Sequence, residues 1–215
     1  MNETCTTPNF WDNFSGSFRI QPPLEKLEKI AAKDSVILDI GCGYGRILNS
    51  LSEAGYKNLY GIDTAGNMIE RAKREFPALK NTVKKVDDAH IPFPDHTFDA
   101  VLLVAVLTCI PDDVDQQLLM QEVKRVLKPG GLLLLSDFLI TDNEINLARY
   151  EKYKDALNCY GVFKMDNDEV VFRHHRLDYL KGLLSEFNIL DETSEIYTSM
   201  RGTPDRAVHI IAEIA

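Results

Sequence analysis

The stretch from Leu38 to Gly45, LDIGCGYG, carries an acid, Asp39, and then glycines at every second position. Glycines so spaced at a strand end remove Cβ atoms where a ligand must lie against the backbone. A dinucleotide fingerprint would want its third glycine at position 46, and Arg46 stands there instead, which disfavours NAD or FAD. Roughly 20 residues on, the tripeptide ending at Asp63 supplies a carboxylate suited to both hydroxyls of an unmodified ribose. Asp87 and Asp88 add two more acids in VDDAHIPFPDHTFDAV, where His90 reads as a loop residue. Near the other end, Phe172-Arg173-His174-His175-Arg176 is a cationic cluster that can hold an anionic substrate or supply a base. Its competing reading is a set of surface groups paired with the chain's many carboxylates.

The segments that must position these residues alternate between β and α patterns. SVILDI is a short β-branched run, and a helical pattern follows its glycine turn. YKNLYGID and LKNTVKKVD read as strands separated by the helix GNMIERAKREF. FDAVLLVAVL is apolar on both faces, which puts it mid-sheet. Asp112 or Asp113 can cap a helix through VDQQLLMQEVKRVLK, which Pro129, Gly130 and Gly131 end before the strand LLLLSDF. Repeated β–α units with apolar strands need right-handed crossovers and a mostly parallel sheet, so the class is α/β, doubly wound. Beyond Ile140 the chain becomes polar and tyrosine-bearing, then offers the helix RLDYLKGLLSEF and two strands joined by MRGTPD as an antiparallel hairpin.

All 215 residues read as a single domain, with an N-terminal lead and helix over 1–33 and a substrate-side insertion over 140–175. Hydrophobic residues at 45% and charged ones at 27% exclude a disordered chain or a coiled-coil rod. A net charge of -9 repels a phosphate backbone, so nucleic acid is not expected as a partner. The longest apolar stretch is too short to span a membrane, no secretory leader is visible, and the four cysteines are scattered, so a cytoplasmic protein without a metal site is expected.

In order and spacing these motifs resemble the class I S-adenosylmethionine (SAM)-dependent methyltransferases, particularly the small-molecule branch acting on quinones, sterols and similar metabolites. LDIGCGYG resembles the family's first motif, Asp63 its ribose acid, VDDAHIPFPDHTFDAV its adenine loop and fourth strand, and EVKRVLKPGGLLLL its helix and fifth strand. The resemblance implies a Rossmann-like seven-stranded sheet of order 3-2-1-4-5-7-6, mostly parallel with an antiparallel last strand. It implies SAM as methyl donor, S-adenosylhomocysteine as product, a small-molecule acceptor, and a monomer or homodimer.

By the same resemblance Gly41, Cys42 and Gly43 approach the methionine part of SAM, with Asp39 on its ammonium or else capping the turn. Asp63 and Thr64 fall at the ribose, and Met68 packs on adenine or serves as helix core. Asp87 is favoured over Asp88 for the adenine amine, with backbone from Asp88 or Ala89 on a ring nitrogen, and backbone around Val104 meets the methionine moiety. Relatives often carry histidines where Thr108 and Cys109 stand, so no base is expected there. His174 and His175 are the catalytic candidates, and Arg173, His175 and Tyr160 the acceptor contacts, which favours an anionic or polar acceptor. The aromatic lead, Phe10, Trp11, Phe14 and Phe18, reads as a lid over the cofactor or as a staple on the sheet's outer helices. Two rival functions are a SAM-binding regulatory protein without turnover and an NAD(P)-dependent oxidoreductase.

Overall fold

Apolar runs of β-branched and leucine residues build the sheet. In the computed structural model, which describes residues 8–16, 20–87, 90–164, 170–198 and 204–215, the first strands are β1 (Val36–Ile40), β2 (Asn58–Asp63), β3 (Val83–Lys85) and β4 (Phe98–Val104). They are followed by β5 (Leu127–Leu139), the short β6 (Val162–Lys164) and β7 (Val171–Arg173), and the long β8 (Phe187–Thr198) and β9 (Pro204–Ile214). Seven of these form one sheet in the order β3-β2-β1-β4-β5-β9-β8. With β6 and β7 set aside, this is the expected 3-2-1-4-5-7-6 order, and the last strand runs antiparallel to both of its neighbours. Pairing among β1 to β5 is parallel.

Helices cover both faces: α2 (Leu24–Ile30), α3 (Arg46–Glu53) and α4 (Gly66–Glu75) belong to one, α5 (Asp113–Val126) and α7 (Leu177–Leu183) to the other. Side chains alternate across the pleat, so Leu38, Val101, Leu103 and Leu135 enter one core while Ile37, Ala100, Leu102 and Leu134 enter the other. Of the two acids offered as caps for α5, Asp112 does the work: its Oδ1 accepts from Val114 N at 2.8 Å and Asp115 N at 3.2 Å.

Two features differ from expectation. Strand β5 begins at Leu127, ahead of the Pro-Gly-Gly run, because Gly130 at φ +72 and a register shift opposite Phe98 and Ala100 let the pairing pass through the glycines. The segment after Ile140, read from the sequence only as polar and tyrosine-bearing, holds α6 (Glu144–Tyr153), capped by Asn143, and the β6–β7 hairpin. The lead contains a helical turn, α1 (Pro8–Asn13), against α4. Phe18 and most of the 200–205 turn fall outside the described residues. Among the described residues no helix is long and apolar enough to cross a membrane.

Gly61 in β2 lies under the glycine turn, where an added Cβ would come within 2.7 Å of Leu48 Cδ1 and 2.8 Å of Cys42 Sγ. Gly61→Ala is therefore expected to lower the unfolding free energy by about 1 to 3 kcal/mol through overpacking. Urea denaturation checks it, and an unchanged midpoint would show that the turn yields freely.

Candidate active site

The carboxyl ends of β1 and β4 adjoin, and the chain diverges there to opposite sides of the sheet, leaving a crevice. The glycine turn folds over β2: Gly41 N and Cys42 N both donate to Ile62 O, at 2.8 and 3.0 Å. Gly41 and Gly43 adopt φ of +69 and +53, and a Cβ on Gly41 would meet Val106 at 2.8 Å, so glycine is required there. Asp63 holds the turn from below, its Oδ2 accepting Gly43 N at 2.7 Å and its Oδ1 accepting Ala65 N at 2.8 Å. Asp39, at the end of β1, is 1% exposed, and its Oδ2 has no hydrogen-bond partner among the described residues. Burial pushes its pKa up to about 8, against a smaller opposing pull from Arg46. Arg46 itself turns away and donates to Ile20 O and Gln21 Oε1, so the position a dinucleotide motif gives to glycine anchors the lead.

Of the other residues read as cofactor contacts, Thr64, Met68, Asp87 and Val104 are among the described residues. Thr64 is exposed beside Asp63, and Met68 is buried on α4 with Tyr44 and Ala65. Asp87 is exposed and paired with Lys85, while Asp88 and Ala89 lie outside the described residues. Val104 ends β4, and the next residue, Ala105, takes a left-handed φ of +57 while its N–H reaches Ser136 O at 2.8 Å. A non-glycine residue in that region is uncommon, and here it sits at a strand end facing the crevice.

The Arg173-His174-His175 run is not a surface cluster. All three are buried; only Arg176 is exposed, paired with Asp178. Burial pushes both imidazoles down to about 3, so at neutral pH they are uncharged and neither is the ready proton acceptor that the sequence offered. Tyr150 Oη lies 2.6 Å from His174 Nδ1 and accepts Thr141 N at 3.5 Å. His175 Nε2 lies 2.9 Å from Gln116 Nε2, and its Nδ1 is 3.7 Å from Asp137 Oδ1, too long for a hydrogen bond. Arg173 is engaged by Asp113 and by Pro111 O at 3.0 Å. The expected cationic acceptor site is therefore absent among the described residues: tertiary contacts consume its arginine and desolvate its histidines. Tyr160 alone of the three acceptor candidates is exposed, with its ring centroid 5.3 Å from that of Tyr150.

Sequence reasoning missed Asp137. It is fully buried at the end of β5, accepts Phe138 N at 2.7 Å and Thr108 N at 3.1 Å, and so fixes the turn after β4. The signal was present as Ser136-Asp137 interrupting an otherwise leucine-rich strand. The lead was legible as an aromatic segment but not in its placement. Trp11 packs edge-on to Phe172 of β7 at 6.1 Å, hydrogen-bonds the Cys109 side chain beyond β4, and joins Phe14 against the Met68 cluster. Asp12 accepts Asn67 N at 2.8 Å, which ties α1 to the start of α4. The lead thus touches both banks of the crevice.

A glycine turn without room for Cβ, a buried carboxyl oxygen lacking a partner and a second carboxylate at the neighbouring strand end fit the ammonium, backbone-facing and ribose parts of SAM. The fold is that of the class I, Rossmann-like methyltransferases. A family model described as a methyltransferase domain matches residues 38–135. A sterol 4-C-methyltransferase of Caenorhabditis elegans is 32% identical over 66% of this chain and 47% of its own length. A demethylmenaquinone methyltransferase of Tropheryma whipplei is 31% identical over 47% of this chain and 41% of its own. The chain thus spans less than half the length of either relative. A solved SAM-dependent methyltransferase from Methanosarcina mazei superposes with a TM-score of 0.83 at 26% identity, covering 91% of this chain and 99% of that one. These likenesses support a class I SAM-dependent methyltransferase.

Asp39 gives a pH signature. The folded chain keeps its proton to about pH 8, whereas the unfolded chain releases it near the ordinary value of 3.8, so unfolding releases a proton between these limits. Its contribution to stability therefore falls as pH rises through that window. Asp39→Asn should unfold at higher denaturant than the parent at pH 8 and show a smaller gain at pH 5. A gain independent of pH would mean that Asp39 titrates normally.

Proposed function

We propose that the chain transfers a methyl group from SAM to a small-molecule acceptor and releases S-adenosylhomocysteine. The observation that carries this reading is the partnerless buried oxygen of Asp39 beside the glycine turn, across from Asp63. SAM, when bound, supplies a methyl group on a sulfonium sulfur, already activated for in-line displacement. What remains for the protein is alignment and exclusion of water. Asp39 would take the ammonium, and Asp63 the ribose hydroxyls through lone pairs that Gly43 and Ala65 leave unused. Met68 would pack near the base, Asp87 would accept its amine, and backbone at Val104 would border the methionine chain.

The acceptor would meet the 140–175 segment and the lead. Phe10, Trp11 and Tyr153, half-buried against the buried cluster of Tyr150, Phe163 and Phe172, offer aromatic faces in place of free cations. This favours an apolar, ring-bearing acceptor over an anionic one, in keeping with relatives named for sterol and demethylmenaquinone methylation. The low basicity of His174 and His175 favours an acceptor that loses its proton without a protein base.

Incubation with SAM and a panel of hydrophobic metabolites should yield S-adenosylhomocysteine together with a one-methyl mass gain. SAM binding without turnover across the panel would favour a regulatory module. By calorimetry, Asp63→Ala should lose on the order of 1.5 to 3 kcal/mol of SAM affinity, the size of a charge-assisted hydrogen bond. An unchanged affinity would place the ribose elsewhere. Deleting residues 1–18 should reduce both SAM affinity and thermal stability, because the lead spans the crevice; a fall in stability alone would make it a staple.

A further inference from the structure

The chain between β3 and β4 is irregular, yet its backbone is held at both ends. At its start, Val86 N donates to Asp63 O at 2.9 Å. Further along, one side chain of α5 gathers the loop: Arg125 donates to Ile91 O and Phe93 O, each at 2.8 Å, and to Asp95 Oδ1 at 2.9 Å. Its guanidinium is braced by a bidentate pair with Glu122, whose two oxygens lie at 2.7 Å. Glu122 Oε2 in turn accepts Ile91 N at 2.8 Å. Arg125 O and Val126 O accept His96 N and Thr97 N, at 3.0 and 2.8 Å. Beneath the loop, Ile91 is buried and Phe93 packs edge-on to Phe98 at 4.9 Å.

We propose that Arg125, braced by Glu122, is a positioning residue for recognition of the cofactor's base: by fixing Ile91 and Phe93 it sets where Asp87 stands. This rests on the proposed SAM site. Asp87 is separated from the Asp63 anchor by Val86 alone and from the Arg125–Glu122 anchor by three residues. Chain length alone keeps Asp87 within a few residues of both anchors, so its acid is presented to the base rather than recruited from solution. Glu122 is suited to the brace, since the Arg125 hydrogen bonds hold its carboxyl down at about 2 and keep it charged at any working pH. Arginine is needed because two carbonyls and a carboxylate require a planar fork of donors that a lysine ammonium cannot present.

The test compares the affinities of S-adenosylhomocysteine and S-inosylhomocysteine by calorimetry. The two ligands differ at the base, where a 6-amino donor is replaced by a 6-oxo acceptor. The parent should prefer the adenosyl ligand, and Arg125→Ala should cut that preference by on the order of tenfold, about 1.4 kcal/mol. Arg125→Lys, which keeps the charge, should cut it too, and serves if the alanine variant fails to fold. A merely structural role would lower the melting temperature while leaving the ratio intact, and that result overturns the proposal, as does a parent that binds both ligands equally. Failure of the parent to bind S-adenosylhomocysteine at all would instead overturn the SAM site on which the proposal rests.

Discussion

The carboxylate of Asp63 is the constraint on which the crevice depends. It ends β2, and by accepting the N–H groups of Gly43 and Ala65 it joins the turn after β1 to the start of α4. Both N–H groups belong to backbone that helix or strand pairing leaves unsatisfied, so without the carboxylate two donors would be stranded. Burial raises the pKa of Asp63, and these same hydrogen bonds, from Ala65 and then Gly43, offset part of the rise. One residue thus ties three elements and still retains acceptor capacity for a ligand, which is why its position follows from the fold.

The cation-rich run near residue 174 shows the opposite relation between sequence and environment. In one dimension it reads as a positive patch on an acidic chain. In three, β7 and the bridge from Leu139 to His175 carry it under the 140–175 segment, where desolvation favours neutral imidazole. Arg173 is paired there with Asp113, and an unpaired charge at that depth would be costly. What the run builds is a floor for the aromatic cluster rather than a docking site for an anion.

Legibility of the fold followed the strength of the local pattern. Strands β1, β4 and β5 announce themselves because burial on both faces demands uninterrupted apolar residues, and the glycine turn because φ > 0 demands glycine. The β6–β7 hairpin could not be read, since VFK and VFR are three-residue strands whose partners are fixed only by tertiary packing. The start of β5 was misplaced because proline and glycine ordinarily punctuate, whereas here a bulge carries pairing across them. Asp39 and Asp63 were legible as acids at the ends of β1 and β2, because each closes an apolar strand pattern. Asp137 was passed over because a lone acid in an apolar run reads as an interruption until Thr108 and Phe138 are seen to donate to it.

The two sides of the crevice are therefore made of different material. The side assigned to the cofactor is mostly backbone: turn amides, strand-end carbonyls and a loop whose own N–H and C=O groups are held by Arg125 and Glu122. Such a surface is fixed by the hydrogen-bond ladder of the sheet and tolerates change in most of its side chains. The facing side consists of side chains from two separate segments, the lead with Phe10 and Trp11 and the insertion with Tyr150, Phe163 and Phe172, which meet in one cluster. Its shape depends on ring packing, where a change of one methylene is felt. Ring packing can change there without disturbing Asp63 or the glycine turn, because no strand pairing of the main sheet passes through the cluster.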